Sequence, residues 1–119
     1  MLEGILEGFN LFCAQYGIQN KIINTLTDRE LFKGELYIIL DDKNLIRIIK
    51  RIKDEHLILA KDIGIISYND TLLKEIVEGG ITTISTNFNL MGERLAEMIL
   101  NSEFAQVENP NRLILRKSL

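Results

Sequence analysis

Cysteine and histidine are nearly missing from this 119-residue sequence, where each occurs once. The single Cys13 cannot form a disulfide within the chain, so nothing in the composition points to an oxidising compartment. One thiol and one imidazole are also too few for a zinc site. We therefore expect a protein without a metal or other cofactor, in which Cys13 packs on an apolar helix face and His56 lies at a helix end.

The chain also lacks an excess of basic residues and a long apolar run. Its net charge is −3, with 14 Lys and Arg scattered among 17 Asp and Glu, so no basic stripe is present to neutralise a phosphate backbone. No apolar run approaches the roughly 20 residues of a membrane span, and the first residues carry acids where a secretion signal has a basic start. We expect a cytoplasmic protein that by itself binds neither DNA nor a membrane.

The apolar residues that are present predict helices alternating with strands. The continuous apolar runs at 36–40 and 63–66 are typical of parallel strands that are covered on both faces. A helical pattern follows each run, so the chain is expected to form an α/β fold, a parallel sheet with flanking helices. The other predicted elements are a helix at 2–16 ended by Gly17, a short strand at 21–26, helical turns within 28–33, helices at 43–54, 71–78 and 90–101, and strands at 81–85 and, after Pro110, at 113–116.

Polar side chains follow both of the continuous apolar runs. Asp41 and Asp42 come after the first, and Asn69 and Asp70 come after the second. In open parallel sheets ligands bind beyond the carboxyl ends of the strands, and carboxylates and amides are suited to the vicinal hydroxyls of a sugar. Capping of the following helix is the other role open to each residue, and one member of each pair could cap while its neighbour faces a ligand.

Four segments together resemble the LacI/GalR family of transcriptional regulators. The segment Asp62–Asp70 resembles the family's aspartate–strand–aromatic–aspartate signature, and Ile81–Ile84 resembles its Leu-Thr-Thr-Ile strand. Met91–Gly92 is similar to the start of the family's Met-Gly helix, and Leu113–Ser118 to its closing strand with Arg-x-Ser. The resemblance implies part of a periplasmic-binding-protein type I, LacI-like subdomain.

The resemblance also implies roles for individual residues. It assigns contacts with the effector sugar to Asp41 and Asn69, where the family has an amide and an acid in the opposite order. The family's effector-contacting arginine falls at Ile5, which cannot donate a hydrogen bond. Homodimer contacts are implied for the helix after Asp42 and for 71–84.

As a whole, the resemblance implies that residues 1–119 are the C-terminal portion of a sugar-binding effector domain. An amino-terminal subdomain and a DNA-binding headpiece are then absent, and DNA is bound only through that headpiece. The alternative is a periplasmic sugar receptor of a transport system. A third hypothesis, a phosphoacceptor with Asp41 and Asp42 as an acidic metal site, is disfavoured, and no enzyme activity is expected.

Overall fold

The computed structural model of the protein describes residues 2–24, 26, 30–86, 88–102 and 111–119. The described elements, in chain order, are α1 (Leu2–Tyr16), β1 (Glu35–Ile39), α2 (Asp42–Asp54), β2 (Ile63–Tyr68), α3 (Leu72–Ile76) followed by a 3-10 turn (Val77–Gly79), β3 (Thr82–Thr86), α4 (Phe88–Leu100) and β4 (Asn111–Ile114). None of the helices in these ranges is long and apolar enough to cross a membrane.

The strands form one sheet in the order β1-β2-β3-β4. The first three strands are parallel, with Tyr37 beside Ile65 and Ser67 beside Thr83, and β4 runs antiparallel to β3. The predicted α/β fold with a parallel sheet and flanking helices is therefore confirmed. Because β1 and β2 are parallel neighbours, the residues that follow them lie at the same edge of the sheet.

Helix α2 supplies the apolar layer that covers one face of this sheet. Its buried side chains recur at helical spacing, and its exposed face carries Lys and Arg, so the helix is amphipathic. These side chains form the core of the molecule together with alternate residues of β1 and β2, which point to the same face. The buried core residues on these three elements are Leu45, Ile48 and Ile52 of α2, Tyr37 and Ile39 of β1, and Ile63 and Ile65 of β2.

The opposite face of β1 is not covered within the described residues. Leu36 and Ile38, which alternate with the buried side chains of β1, remain about half exposed. The prediction that this strand is covered on both faces is thus wrong for β1. A continuous apolar run shows that both faces are apolar, but burial of the second face depends on a layer that the run itself does not specify.

Helix α1 ends as its sequence predicts. Gly17 has a left-handed backbone (φ 63°), and the N–H of Ile18 donates to the carbonyl of Cys13 at 3.0 Å, which closes the helix with a Schellman-type bond. Cys13 is buried at the end of this helix, as expected for a small apolar side chain.

Three of the predicted elements differ from the structure. Residues 21–24 and 26 form no strand, and 30–34 are not helical, while Asp28 and Pro110 lie outside the described residues. The first segment is nevertheless fixed to the core at its end, where Leu26 is buried and its carbonyl accepts Arg51 Nη1 at 3.0 Å. The last strand begins two residues earlier than predicted.

Candidate functional site

The four predicted site residues lie at the carboxyl ends of two neighbouring parallel strands. Asp41 and Asp42 stand at the junction of β1 and α2, and Asn69 and Asp70 at the junction of β2 and α3. We call these four residues the carboxyl corner. Each makes a different set of contacts, so their possible roles differ.

Asp41 caps helix α2. Its Oδ2 accepts the backbone N–H of Asn44 at 3.0 Å, and its Oδ1 accepts the Asn44 side-chain amide at 2.9 Å. Partial burial opposes ionisation, but the hydrogen bonds from Asn44 and the nearby Arg47 guanidinium outweigh it, so the pKa of Asp41 lies below its ordinary value. The residue is exposed, and a carboxylate has about four lone-pair sites, so a cap leaves room for further hydrogen bonds.

Asp42 is joined to helix α3 by an ion pair. Its Oδ1 lies 3.1 Å from Lys74 Nζ, and the Lys74 side chain is almost wholly buried, whereas that of Asp42 is 72% exposed. The same ammonium donates to the backbone carbonyls of Tyr68 at 3.1 Å and Asn69 at 2.7 Å. Lys74 therefore brings Asp42 and Asn69, which belong to different strand ends, into one cluster.

Asn69 has a left-handed backbone (φ 65°), a conformation that asparagine tolerates better than most residues. Its N–H donates to the carbonyl of Ile84 at 2.7 Å, which ties the end of β2 to β3. Its Oδ1 is buried and accepts no hydrogen bond from the described residues. The corner thus contains an acceptor that the described residues leave without a donor.

Asp70 forms a two-pronged ion pair with Arg116. Nη1 and Nη2 of Arg116 lie 2.6 and 2.8 Å from the two carboxylate oxygens, and the two side chains are 15% and 20% exposed. The hydrogen bonds from Arg116 hold the pKa of Asp70 below its ordinary value, although partial burial acts in the opposite direction. The carboxylate of Asp70 therefore anchors the end of the chain to the carboxyl corner.

The side chain of Arg116 passes close to the backbone of Gly80 on its way to Asp70. Gly80 has φ 111°, and a Cβ there would lie 2.9 Å from Cδ of Arg116 and 3.2 Å from the carbonyl of Glu75. The backbone of Arg116 is held by Thr82, whose Oγ1 accepts its N–H at 2.9 Å. This bond lies beyond the end of β4, outside the strand ladder.

Ser118 continues the same C-terminal segment between β2 and β3. Its Oγ accepts the N–H of Thr82 at 2.7 Å and donates to the carbonyl of Ile65 at 2.7 Å, and its own carbonyl accepts the N–H of Ile65 at 2.8 Å. Ser118 is fully buried. The Arg-x-Ser ending thus makes two structural contacts: Arg116 pairs with Asp70 at the carboxyl corner, and Ser118 joins β2 to β3.

Lys74 is not among the site residues predicted from the sequence, and Arg116 enters that prediction only as part of a motif. A signal for Lys74 was present, because a lysine stands among three apolar residues in a short helix, Leu72, Leu73 and Ile76. The apolar period, however, predicts that the apolar residues are buried. The structure has the reverse arrangement, with those three residues exposed and Lys74 buried.

The chemistry of the carboxyl corner is that of hydrogen bonding. Its carboxylates and its amide can accept hydrogen bonds from hydroxyl groups. In the described part of the chain, no group of three or more His, Cys, Asp or Glu side chains is arranged to hold a metal ion. A depression lined by Gly34, Gly64 and Leu119, among others, lies at the amino ends of β1 and β2, away from the corner.

Comparison with known proteins places this fold. Residues 3–119 match the model of the periplasmic binding protein-like domain. The chain belongs to this family. Among curated proteins, none has a significantly similar sequence.

Solved structures of transcriptional regulators share the fold. The lac repressor dimer bound to operator and the anti-inducer ONPF is 23% identical, with a TM-score of 0.57 over 70% of this chain and 31% of the repressor chain. A putative transcription regulator from Staphylococcus saprophyticus is 24% identical, with a TM-score of 0.58 over 71% of this chain and 32% of its own. The regulator CelR in complex with cellobiose is 17% identical, with a TM-score of 0.54 over 70% and 27%. The chain has the fold of a LacI-type effector domain and spans about a third of these proteins or less.

Proposed function

We propose that this chain is the effector-binding and dimerisation region of a LacI-type transcriptional regulator, and that a sugar-like effector binds at the carboxyl corner. The observation that carries the proposal is the junction made by Lys74. Its ammonium contacts both Asp42 and the backbone of Asn69, so polar groups from the ends of β1 and β2 lie in one place. Ligands of open parallel sheets bind at such strand ends.

Within the corner, Asp41 and Asn69 are the proposed contacts with effector hydroxyls. Asp41 is exposed and keeps lone pairs beyond those used by its cap, and Oδ1 of Asn69 accepts no hydrogen bond from the described residues. Asp42 and Asp70 are engaged by Lys74 and Arg116, so we assign them a supporting role at the edge of the site. Two similar structures hold small ligands, ONPF in the lac repressor and cellobiose in CelR, which supports a sugar-like effector.

The proposed dimer surface consists of α3 and the outer side of α2. Leu72, Leu73 and Ile76 of α3 and Ile46 of α2 are all more than half exposed. Exposed apolar patches of this kind mark interaction surfaces. One similar structure, the lac repressor, is a dimer.

DNA binding is proposed to belong to a headpiece outside these 119 residues, in a cytoplasmic protein. The net charge of −3 gives these 119 residues no overall attraction for a phosphate backbone. Residues 1–119 then act as the C-terminal portion of the effector domain, and effector binding shifts the arrangement of the headpieces. The solved structures that share the fold are described as transcription regulators, which supports this role over a transport receptor.

Calorimetry on the full-length protein with a panel of neutral mono- and disaccharides tests the effector site. For the sugar that binds, we expect Asp41→Ser and Asn69→Ala each to weaken the affinity by about tenfold or more, the effect of losing a hydrogen bond worth about 1.4 kcal/mol. Serine still caps α2, so Asp41→Ser separates ligand contact from capping.

Lys50→Ala is the matched control, because Lys50 is exposed on α2 away from the corner. Unchanged affinity in Asp41→Ser and Asn69→Ala, or no binding of any sugar, would remove the effector assignment.

Sedimentation of the full-length protein tests the dimer surface. We expect Leu73→Glu to shift the protein toward monomer by burying a charge in the interface, while Leu11→Glu on the exposed face of α1 leaves the dimer intact. A wild-type protein that stays monomeric at high concentration contradicts the proposal, as does a Leu73→Glu dimer of unchanged affinity.

A further inference from the structure

Helix α3 buries its lysine and exposes its apolar residues. Lys74 is 4% exposed, whereas Leu72 and Ile76 are 81% and 73% exposed. Burial of an ammonium group is unfavourable by several kcal/mol unless hydrogen bonds and an opposite charge compensate for it. The position of Lys74 therefore needs a specific set of partners.

Three oxygen atoms surround the ammonium of Lys74, one for each of its N–H groups. Lysine has three N–H donors. The carbonyls of Tyr68 and Asn69 accept at 3.1 and 2.7 Å, and Asp42 Oδ1 lies at 3.1 Å. One side chain thus connects α3 with the carboxyl end of β2 and with the first residue of α2.

The ammonium of Lys74 contacts Asn69, which is the residue of the carboxyl corner that has a left-handed backbone. The left-handed conformation of Asn69 is less stable than the right-handed one for an L-residue, although asparagine tolerates it better than most. Two contacts hold it, the bond from its N–H to Ile84 and the bond from Lys74 to its carbonyl. Loss of the ammonium removes one of the two.

We propose that Lys74 is a positioning residue for the carboxyl corner. Its ammonium fixes the backbone of Asn69 and the carboxylate of Asp42, and it does so from beneath the surface, without contact with the effector. The proposal rests on the proposed function for its consequence in binding, while the positioning itself is independent of any ligand.

Residue-resolved amide hydrogen exchange of the full-length protein, without ligand, tests the positioning. We expect Lys74→Met, which keeps the length and removes the charge, to speed exchange of the Asn69 amide about tenfold or more under conditions where local opening is measured. The amides of Ile65 and Thr82, inside the sheet, should exchange at the wild-type rate. Lys53→Met is the matched control, because its ammonium pairs with Glu78 at the surface.

A second variant covers the case in which Lys74→Met does not fold. Asp42→Asn removes one of the three partners of the ammonium, and its side chain is mostly exposed, so we expect a folded protein with a smaller rise in exchange at Asn69. Unchanged exchange at Asn69 in both variants overturns the proposal. An equal rise at Asn69, Ile65 and Thr82 also overturns it, because that result indicates a purely global loss of stability.

Sugar calorimetry on the same variants then tests the consequence for binding. We expect Lys74→Met to weaken the affinity for the sugar found in the panel by about tenfold, with Lys53→Met unchanged. Unchanged affinity in Lys74→Met would overturn the positioning of a ligand site. If no sugar binds to the wild type, the proposed function fails, and the exchange experiment still decides whether Lys74 positions Asn69.

Discussion

Helix α2, packed on the sheet, and helices α1 and α4 all have an amphipathic pattern, but they differ in how much of their apolar face is buried. In α2, the apolar residues Leu45, Ile48 and Ile52 lie in the core. In α1, Leu11 and Tyr16 are 70% and 63% exposed. The apolar residues of α4 that remain well exposed are Leu90, Leu95, Ile99 and Leu100.

The difference shows that a helical period predicts a face suited to burial, whereas burial itself needs a partner surface. Helix α2 finds one in β1 and β2, its neighbours in sequence. The apolar side chains of α1 and α4 named above remain exposed by about two fifths or more. We therefore expect the stability of the protein to depend on the sheet with α2 and much less on the exposed faces of α1 and α4.

The largest effect is expected from a cavity in the core. Ile48→Ala removes a fully buried side chain of α2, and we expect the free energy of unfolding to fall by about 3 to 4 kcal/mol. Leu11→Ala on α1 is the matched control, with an expected change below about 0.5 kcal/mol. Urea denaturation of both variants measures the difference, and equal losses would show that α1 is packed as tightly as α2.

A somewhat smaller effect is expected where the C-terminal segment enters the sheet. Ser118→Ala leaves the N–H of Thr82 and the carbonyl of Ile65 without their hydroxyl partner, and the expected loss is about 2 kcal/mol. Ser67→Ala is the control within the sheet, because its buried hydroxyl makes no hydrogen bond to the described residues. Thermal melts should show a lower stability for Ser118→Ala than for Ser67→Ala. A loss of stability in Ser67→Ala as large as that in Ser118→Ala would contradict this assignment.

The ion pair between Asp70 and Arg116 sets a pH dependence. The pKa of Asp70 is lowered in the folded state, so its stabilising contribution is complete above the unfolded value of about 3.9 and is lost as the pH falls through the lower folded value. We expect Asp70→Asn to reduce the free energy of unfolding by about 1 to 2 kcal/mol at pH 7. The gap between the variant and the wild type should narrow below pH 4, and a gap that stays constant down to pH 2 would contradict this account.

The smallest effect concerns the end of α2 at the carboxyl corner. Asp41→Ala removes the cap, with an expected loss of about 1 kcal/mol, while Asp41→Ser should retain most of the stability. Asp54→Ala, at the opposite end of the same helix, is expected to be neutral or slightly stabilising because an acid there opposes the helix dipole. Helix α2 would not be capped by Asp41 if the alanine and serine variants melted alike.

The sequence predicted the carboxyl corner because its residues are placed by local rules. A continuous apolar run followed by polar residues indicates the end of a buried strand, and two such runs with a helix between them place both ends at one edge. On that basis Asp41, Asp42, Asn69 and Asp70 could be named before their positions were known. The ion pairs of Asp42 and Asp70 could not be predicted, because they depend on Lys74 and Arg116. Nor could the sequence show that Oδ1 of Asn69 accepts no hydrogen bond from the described residues.

The roles of Lys74 and Arg116 could not be predicted from the sequence, for two different reasons. The burial of Lys74 is contrary to the apolar pattern of its own helix. Its partners at Tyr68 and Asn69 are backbone carbonyls, which are present in every sequence and therefore give no signal. Arg116 lies 46 residues from Asp70, and no local period connects positions so far apart. The predicted strand at 21–26 is not formed by its described residues, because β-branched residues favour a strand only where a neighbouring strand pairs with them.

By itself, the sequence determined the alternation of helices and strands, the ends of α1 and α2, and the segments that match the periplasmic binding protein-like domain. These features follow from the period of the backbone and from local hydrogen bonds, which act over a few residues. Only the tertiary structure decided which apolar faces are covered, which carboxylates are paired and where Ser118 enters the sheet. Such contacts join residues that lie far apart in the chain, and they exist only once the strands have been placed side by side.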